Sequence, residues 1–426
     1  MSTIEQLLQP VFEGGIRSVN FFNGRVLTGE DLSREQEAQR QARRLLGQAV
    51  GEGVAFGFEV AEAAGASTAQ SPVITVSPGL AVNRAGQTLR LHGRAEVGLT
   101  WREASPAGEP TNVTFRDCAP LDPAIYVASE SVYLLTVAPA EGREGRAPTV
   151  GAGNVPAAYN TGYLVEGVQF RVLVVLTGEN LGDRQTLRNR VAYACFGVEG
   201  PRRAAGDPFG TPPDTYGRLD ELRALEELTD CEVPLALVHW SNVRGVEFVD
   251  MWPVRRRLTA GAASRRWHAL VGDRREAEAE AMLLQFQDQV ADLAASPNVN
   301  LSAAAAAQHF RYLPPAGLVP VARRAPTGRD FKGVNPNTFF GAHAVRQPTY
   351  IDGAAVRSLL SDAGRYEPVD LSRGEAVWLY QVVQNEQAFN AAGAGVQPYL
   401  VFTSAQMPFR GAARLDLARF DQSNFA

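Results

Sequence analysis

Between Val54 and Gly93 apolar residues tend to alternate with polar ones, and turn formers break the run at short intervals. VAFGFEV is followed by PVITVSPGLAVNRAGQTLRLHG, whose β-branched stretches are punctuated by Ser77-Pro78-Gly79 and by Asn83 to Gly86. Period-two alternation buries one face of a strand, and closely spaced turns return the chain antiparallel to itself. The segment is therefore predicted to be a small antiparallel meander.

The same habit recurs along the chain. SVYLLTVAP (131–139) and GVQFRVLVVL (167–176) read as long buried strands. CEVPLALVHW (231–240) reads as a further central strand ending in a His-Trp pair, and GVEFVDMWPVRRR continues the sheet. EAVWLYQVVQ (375–384) and QPYLVFTSA (397–405) repeat the pattern near the end, with a helix near Gly353 to Leu360 between them and the preceding segment. The Gly-, Ala- and Pro-rich excursion from Ala140 to Gly162 reads as surface loop, as do the turn-rich stretches 106–123 and 201–217. A short helix is expected near Arg218 to Leu228 and another over SAAAAAQHF. Pro314 and Pro315 favour an extended segment in RYLPPAGLVPV.

Two longer segments are helical by pattern. Thr28 and Asp31 form a capping box with Asp in the usual Glu/Gln place, opening a helix over 29–50 that Gly51 and Gly53 close. Its second half carries Ala42, Leu45, Leu46, Ala49 and Val50, whereas Ser33 through Gln41 contains Ala38 as its sole apolar residue. That polar half has little to bury in its own core, so Arg34, Glu35, Glu37 and Arg40, with Arg43 and Arg44 just beyond it, are candidate contact residues; a solvated face would give the same pattern. Residues 273–295 form the second long helix, with Ala279, Leu283, Phe286, Val290 and Leu293 in four-three alternation. Leu283, Phe286 and Val290 are candidate seam residues, with packing on the neighbouring domain as the competing reading.

A chain of 426 residues exceeds one ordinary core. The expected fold is α+β, mainly antiparallel β in sandwich-like sheets, with a few peripheral helices and two domains. Residues 1–265 form a β-rich domain that includes helix 29–50, residues 266–312 a helical connector, and residues 313–426 a smaller α+β domain. No internal repeat at a fixed period is present.

The net charge of −5 gives no footprint for nucleic acid or an anionic membrane. Lys332 is the single lysine, so the basic residues are arginines that pair bidentately and stack on aromatics; a G+C-rich genome has the same signature. No window approaches the about 18–20 apolar residues that cross a bilayer, and the first residues lack a basic n-region. Synthesis and assembly in the cytoplasm are expected, with any extracellular role reached by another route. Cys118, Cys195 and Cys231 match no zinc or redox spacing; a reduced protein is expected, with one disulfide left open.

Catalytic signals are sparse. His92, His239, His268, His309 and His343 show no metal-ligand spacing, and no nucleophile elbow, phosphate loop or dinucleotide fingerprint occurs. No metal, cofactor or catalytic residue is expected. A glycosidase needs two carboxylates at a set separation, which Glu59 and Glu247 in strand-like runs leave open. A carbohydrate- or receptor-binding module would need exposed aromatics such as Trp101, Trp252 or Trp267.

FFNGRVLTGEDLSREQ, the GFEV strand, ITVSPGLAVNRAGQTL, HFRYLPPAGLVPV, and VWLYQVVQNE with PYLVF together resemble a bacterial protein family encoded beside phage-tail-like contractile injection systems and phage baseplate genes. The resemblance touches both ends and the middle of the chain, and its motifs are structural. It implies a structural component of the tail or baseplate that binds other tail proteins, with homo-oligomerisation among the expected contacts. A tail-associated glycan hydrolase or binding module is the alternative. Long insertions around 140–162 and 200–217 depart from the family pattern.

Overall fold

The computed structural model describes residues 15–100, 127, 129–148, 159–177, 180–198, 217–259, 273–345, 348–391 and 395–407. Helix α1 (Gly29–Val50) precedes six short strands, which divide into two three-stranded antiparallel sheets. β1 (Gly53–Gly57), β4 (Gly79–Val82) and β5 (Thr88–Leu91) form one; β2 (Val60–Glu62), β3 (Val73–Val76) and β6 (Ala95–Gly98) form the other. VAFGFEV is not one strand, because Gly57 and Phe58 both take positive φ (65° and 53°) and turn the chain between sheets. A Cβ on Gly57 would sit 1.8 Å from the Pro78 carbonyl oxygen, so the crossing needs glycine. Phe58 is driven inward and is fully buried.

A third sheet takes the order β10-β9-β7-β8, antiparallel throughout, from β7 (Ser131–Pro148), β8 (Tyr159–Thr177), β9 (Val233–Ser241) and β10 (Gly245–Asp250). Alternate residues of β7 serve two cores. Tyr133, Leu135 and Val137 pack with Phe58, Ile74 and Val76 of the meander, while Val132 and Leu134 pack beneath α2 (Arg184–Phe196) and α3 (Arg218–Ala224). Both faces are covered, which is why β9 is buried at every position.

β7 and β8 outrun this sheet. β9 pairs with β7 only from Ser131 to Val137, whereas the β7–β8 ladder continues to Pro148 opposite Tyr159. The excursion read as loop is therefore largely a two-stranded ribbon, with 149–158 outside the described residues. An exposed ribbon has no buried face to impose alternation, so composition alone resembles a loop.

The C-terminal part begins with α4 (Asp273–Ala295) and the single-turn α5 (Ala306–His309), shorter than the SAAAAAQHF helix expected. Two small pairings follow: β11 (Tyr312–Leu313) with β16 (Val369–Asp370), and β13 (Arg323–Arg324) with β14 (Asp330–Phe331). The main sheet has the order β12-β18-β17-β15, from β12 (Ala316–Pro320), β15 (Thr349–Ile351), β17 (Trp378–Val382) and β18 (Tyr399–Thr403), with β15 parallel to β17. Helices α6 (Pro336–Phe340), α7 (Gly353–Ala363) and α8 (Val383–Asn390) complete it. α8 replaces the end of the strand expected over 375–384. Asn385 secures that change by donating to the Gln397 carbonyl and accepting from the Tyr399 amide.

The chain is thus an α+β protein, mainly antiparallel β, with separate N- and C-terminal cores. A seam of mixed character joins them, with a buried apolar cluster of Ala192, Tyr193, Phe196, Ala281, Met282 and Tyr312 beside polar pairs. Arg188 of α2 pairs with Asp250 at 2.7 Å and with Asp292 of α4 at 2.5 Å, and Gln285 of α4 donates to the same Asp250. Asn189 accepts from the Arg311 and Tyr312 amides and donates to the Tyr312 carbonyl, while Tyr193 stacks on Tyr312. Cys195 is a buried free thiol; Cys231 is disulfide-bonded, and Cys118 lies outside the described residues. No helix among the described residues is long and apolar enough to cross a membrane.

Candidate functional site

The capping box at the start of α1 forms as the sequence indicates. The Asp31 amide donates to Thr28 Oγ1, and the Thr28 amide donates to Asp31 Oδ2, each at 3.1 Å. Hydrogen bonds from Thr28, with Arg25 beside it, hold the Asp31 carboxyl below the ordinary carboxylate range. Before the helix, Asn23-Gly24 makes a turn with Gly24 at φ 92°, and Phe21 and Phe22 lie in no strand and are exposed.

What anchors α1 differs from expectation. Leu45, Leu46 and Val50 are exposed like the polar half, and Ala38 is the single buried residue of the helix. The contact near its C-terminus is made by backbone. A Cβ on Gly47 would lie 2.1 Å from the Gly86 carbonyl oxygen, and one on Gly86 would lie 2.0 Å from that of Arg44. Two glycines thus let the helix touch the β4–β5 turn and leave its larger apolar residues outward. Arg34 pairs with Glu30 along the helix, Glu35 accepts from the Val19 amide and from Gln39, and Arg40 and Arg43 make no ion pair or hydrogen bond among the described residues. Glu37 and Arg40 are half-buried, and Arg43 is exposed.

The α4 seam goes the other way. Phe286 is fully buried against Phe310 and Phe402, Val290 is buried in the same core, and Leu283 is half-buried. Phe286 and Val290 pack in the chain's own C-terminal core, which leaves α1 as the long helix whose larger apolar side chains are exposed.

A second apolar surface lies on the ribbon, where Tyr163, Leu164 and Val165 of β8 are exposed and pair with β7 alone. More than half of the large apolar side chains exposed among the described residues lie on the 15–28 arm, α1 and this ribbon.

One polar constellation was not read from sequence. Glu130, His239 and Glu247 converge at the end of the third sheet, with one candidate ligand atom of each within 4.8 Å of the others. His239 is buried, its Nδ1 3.7 Å from Glu247 and its Nε2 3.9 Å from Glu130, and Nε2 has no hydrogen-bond partner. Burial pushes the imidazole below its ordinary pKa, against the pull of Glu247 and Glu130. Both carboxylates are already engaged. Arg184 pairs with Glu130 and, at 3.4 Å, with Glu247; Arg244 reaches them at 3.5 and 3.1 Å. Two guanidiniums balance two carboxylates, so a divalent cation would have to displace both arginines. The arrangement reads as an ion-pair cluster that ties β9 and β10 to α2. Two of its members stand out in the sequence, His239 in the His-Trp pair at the strand end and Glu247 in a strand-like run, whereas Glu130 comes from a distant turn.

The other chemical candidates do not assemble. Glu59 is exposed beyond β1, and Glu247 belongs to the ion-pair cluster. Trp252 is half-buried, bonded through Nε1 to Asp288 and faced by the Arg255 guanidinium 5.9 Å from its ring centroid, which leaves no open stacking platform there. Trp101 and Trp267 lie outside the described residues. No protein-family model matches the sequence, and no curated protein matches it.

Proposed function

We propose that this chain is a structural component of a phage-tail-like particle, a contractile injection system or phage baseplate, that acts by binding other subunits. The observation that carries the assembly part is the placement of apolar side chains on projecting elements. Soluble monomers scatter such residues, whereas clustered apolar surface marks interaction sites. Here Phe21, Phe22, Val26 and Leu27 lead into Leu32, Leu45, Leu46 and Val50 of α1, and Tyr163, Leu164 and Val165 crown the ribbon. A two-stranded ribbon is marginal alone in water and carries open edges that another strand can extend. The particle itself is suggested by the motif resemblance.

In this reading the chain is made in the cytoplasm and joins the particle through the ribbon and the α1 surface, using no cofactor. The test is sedimentation of particles from a host carrying a tagged copy. The chain should travel with sheath and tube proteins identified in the same fraction, and Tyr163→Arg combined with Leu164→Asp should abolish that. A tagged chain that stays in the supernatant while intact particles sediment would remove the proposal.

A further inference from the structure

Resting on the assembly reading of α1, we infer that this helix is a self-complementary surface on which a second copy of the chain pairs antiparallel across a two-fold axis through Gln39. The argument begins with charge. Residues 29–39 carry Glu30, Asp31, Glu35 and Glu37 against the single Arg34, and residues 40–50 carry Arg40, Arg43 and Arg44 with no acidic side chain. Parallel pairing would set like charge against like. Antiparallel pairing sets each acidic half against the basic half of its neighbour, twice, as an isologous interface requires.

Geometry selects the register. Leu32, Gln39 and Leu46 are spaced by seven, so they fall within about 40° of one line on a helix of 3.6 residues per turn. All three are exposed. With Gln36, Arg43 and Val50 they make the four-three stripe of helices that pack side by side. Centring the two-fold on Gln39 places Leu32 against Leu46 of the second copy and Glu35 against its Arg43, each contact occurring twice. Val50 then meets the start of the other helix, where Val26 and Leu27 are exposed. Arg43, without an ion pair or hydrogen bond among the described residues, gains a carboxylate. The chain itself meets this stripe at its edge, where Glu35 accepts from the Val19 amide and from Gln39, while Gly47 makes the contact with the body and Ala38 is buried on another side of the helix.

Light scattering and native mass spectrometry on the purified full chain, across a dilution series, test this pairing. A dimer that dissociates on dilution is expected. Arg43→Glu should weaken it roughly tenfold, because each dimer loses two attractions and gains two repulsions. Glu35→Arg together with Arg43→Glu should restore it, an outcome that lost folding cannot produce. Gln39→Cys should form an intermolecular disulfide on mild oxidation, and Gln41→Cys, on the opposite side of the helix, should not. A chain that stays monomeric at all concentrations overturns the inference, as does a dimer that crosslinks through Gln41→Cys but not through Gln39→Cys. A monomer that still sediments with particles would sink the self-pairing while sparing the assembly role.

Discussion

α1 and α4 are nearly the same length, at 22 and 23 residues, and meet opposite fates. α4 sends Ala281, Met282, Phe286 and Val290 into cores, and even Arg275, Gln285 and Gln289 are buried with it. α1 buries Ala38 alone. Helix propensity does not separate them, because both are rich in Ala, Gln, Glu and Arg. What differs is the continuity of the apolar stripe. In α4 it runs unbroken from Ala279 to Leu293, whereas in α1 Gln36, Gln39 and Arg43 interrupt it between Leu32 and Leu46. The unbroken stripe of α4 packs within the chain's own core, whereas the interrupted stripe of α1, with charge segregated by halves, stays exposed.

The sharpest way to break this contrast is Phe286→Ala. The ring is fully buried among Phe310, Phe340 and Phe402, directly or through the next ring in the cluster, so truncation should cost about 3–5 kcal/mol. Chemical denaturation followed by fluorescence would read it. A loss below about 1 kcal/mol would mean that α4 is not integral to the C-terminal core.

Next come the polar pairs of the seam. Arg188→Ala leaves Asp250 buried with Gln285 as its remaining donor, and removing one partner of a buried pair costs about 3 kcal/mol. Burial pushes Asp250 above the ordinary carboxylate range against the pull of Arg188. For Arg188 burial acts downward, and Asp250 with Asp292 outweighs it. Because the seam joins the two cores, the variant should split one unfolding transition into two by calorimetry. A single transition shifted down as a whole would show that the cores are coupled elsewhere.

A smaller effect follows from His239. Its folded-state pKa lies below the ordinary 6.5, so the unfolded chain takes up the proton first as pH falls. The stability tied to this group is therefore present above the unfolded value and is lost as pH drops through that value toward the depressed folded one. His309, also lowered by burial, adds a slope of the same sign. His239→Gln should flatten, not abolish, the decline in melting temperature below about pH 6.5. An unchanged slope would place the titration at other groups.

Much of this was legible in the sequence, for identifiable reasons. The meander, β9, α1 with its capping box, and α4 follow from periodicity and punctuation that local energetics enforce. α2 carries no such signal, because its buried side includes Asn189 and Tyr193 beside Leu187 and Val191, so no clean apolar stripe marks it. The ribbon reads as loop in the sequence because strands solvated on both faces lose the alternation that identifies strands. At the candidate surface, the exposure of Ser33, Arg34, Gln36, Gln39 and Gln41 in the polar half of α1 accords with their polarity, while Ala38 is buried there. The exposure of Leu45, Leu46 and Val50 was not readable, since it depends on Gly47 meeting Gly86, residues 39 positions apart whose contact no local pattern encodes.

That contact gives the next prediction. Alanine in place of Gly47 would favour an isolated helix by about 1 kcal/mol. In the folded chain its Cβ would press on the Gly86 backbone at 2.1 Å, where no flexible side chain can yield. The expected result is faster amide exchange at the C-terminal end of α1 and at the Asn83–Gln87 turn, with the cores unchanged. Protection equal to the wild type would mean that the turn shifts at little cost and that the glycine pair does not fix α1.

The smallest effect on monomer stability should come from Leu46→Ala. The side chain is 68% exposed, so its removal should change stability by less than about 0.5 kcal/mol in dilute solution, where α1 is unpartnered. At concentrations that favour the antiparallel pair the same change removes two Leu32–Leu46 contacts, and association should weaken severalfold. This divergence is what distinguishes an apolar residue held for a partner from one merely tolerated on a surface. Equal and small effects in both regimes would make the interrupted stripe of α1 a solvated helix face, and the contrast with α4 would reduce to one of burial alone.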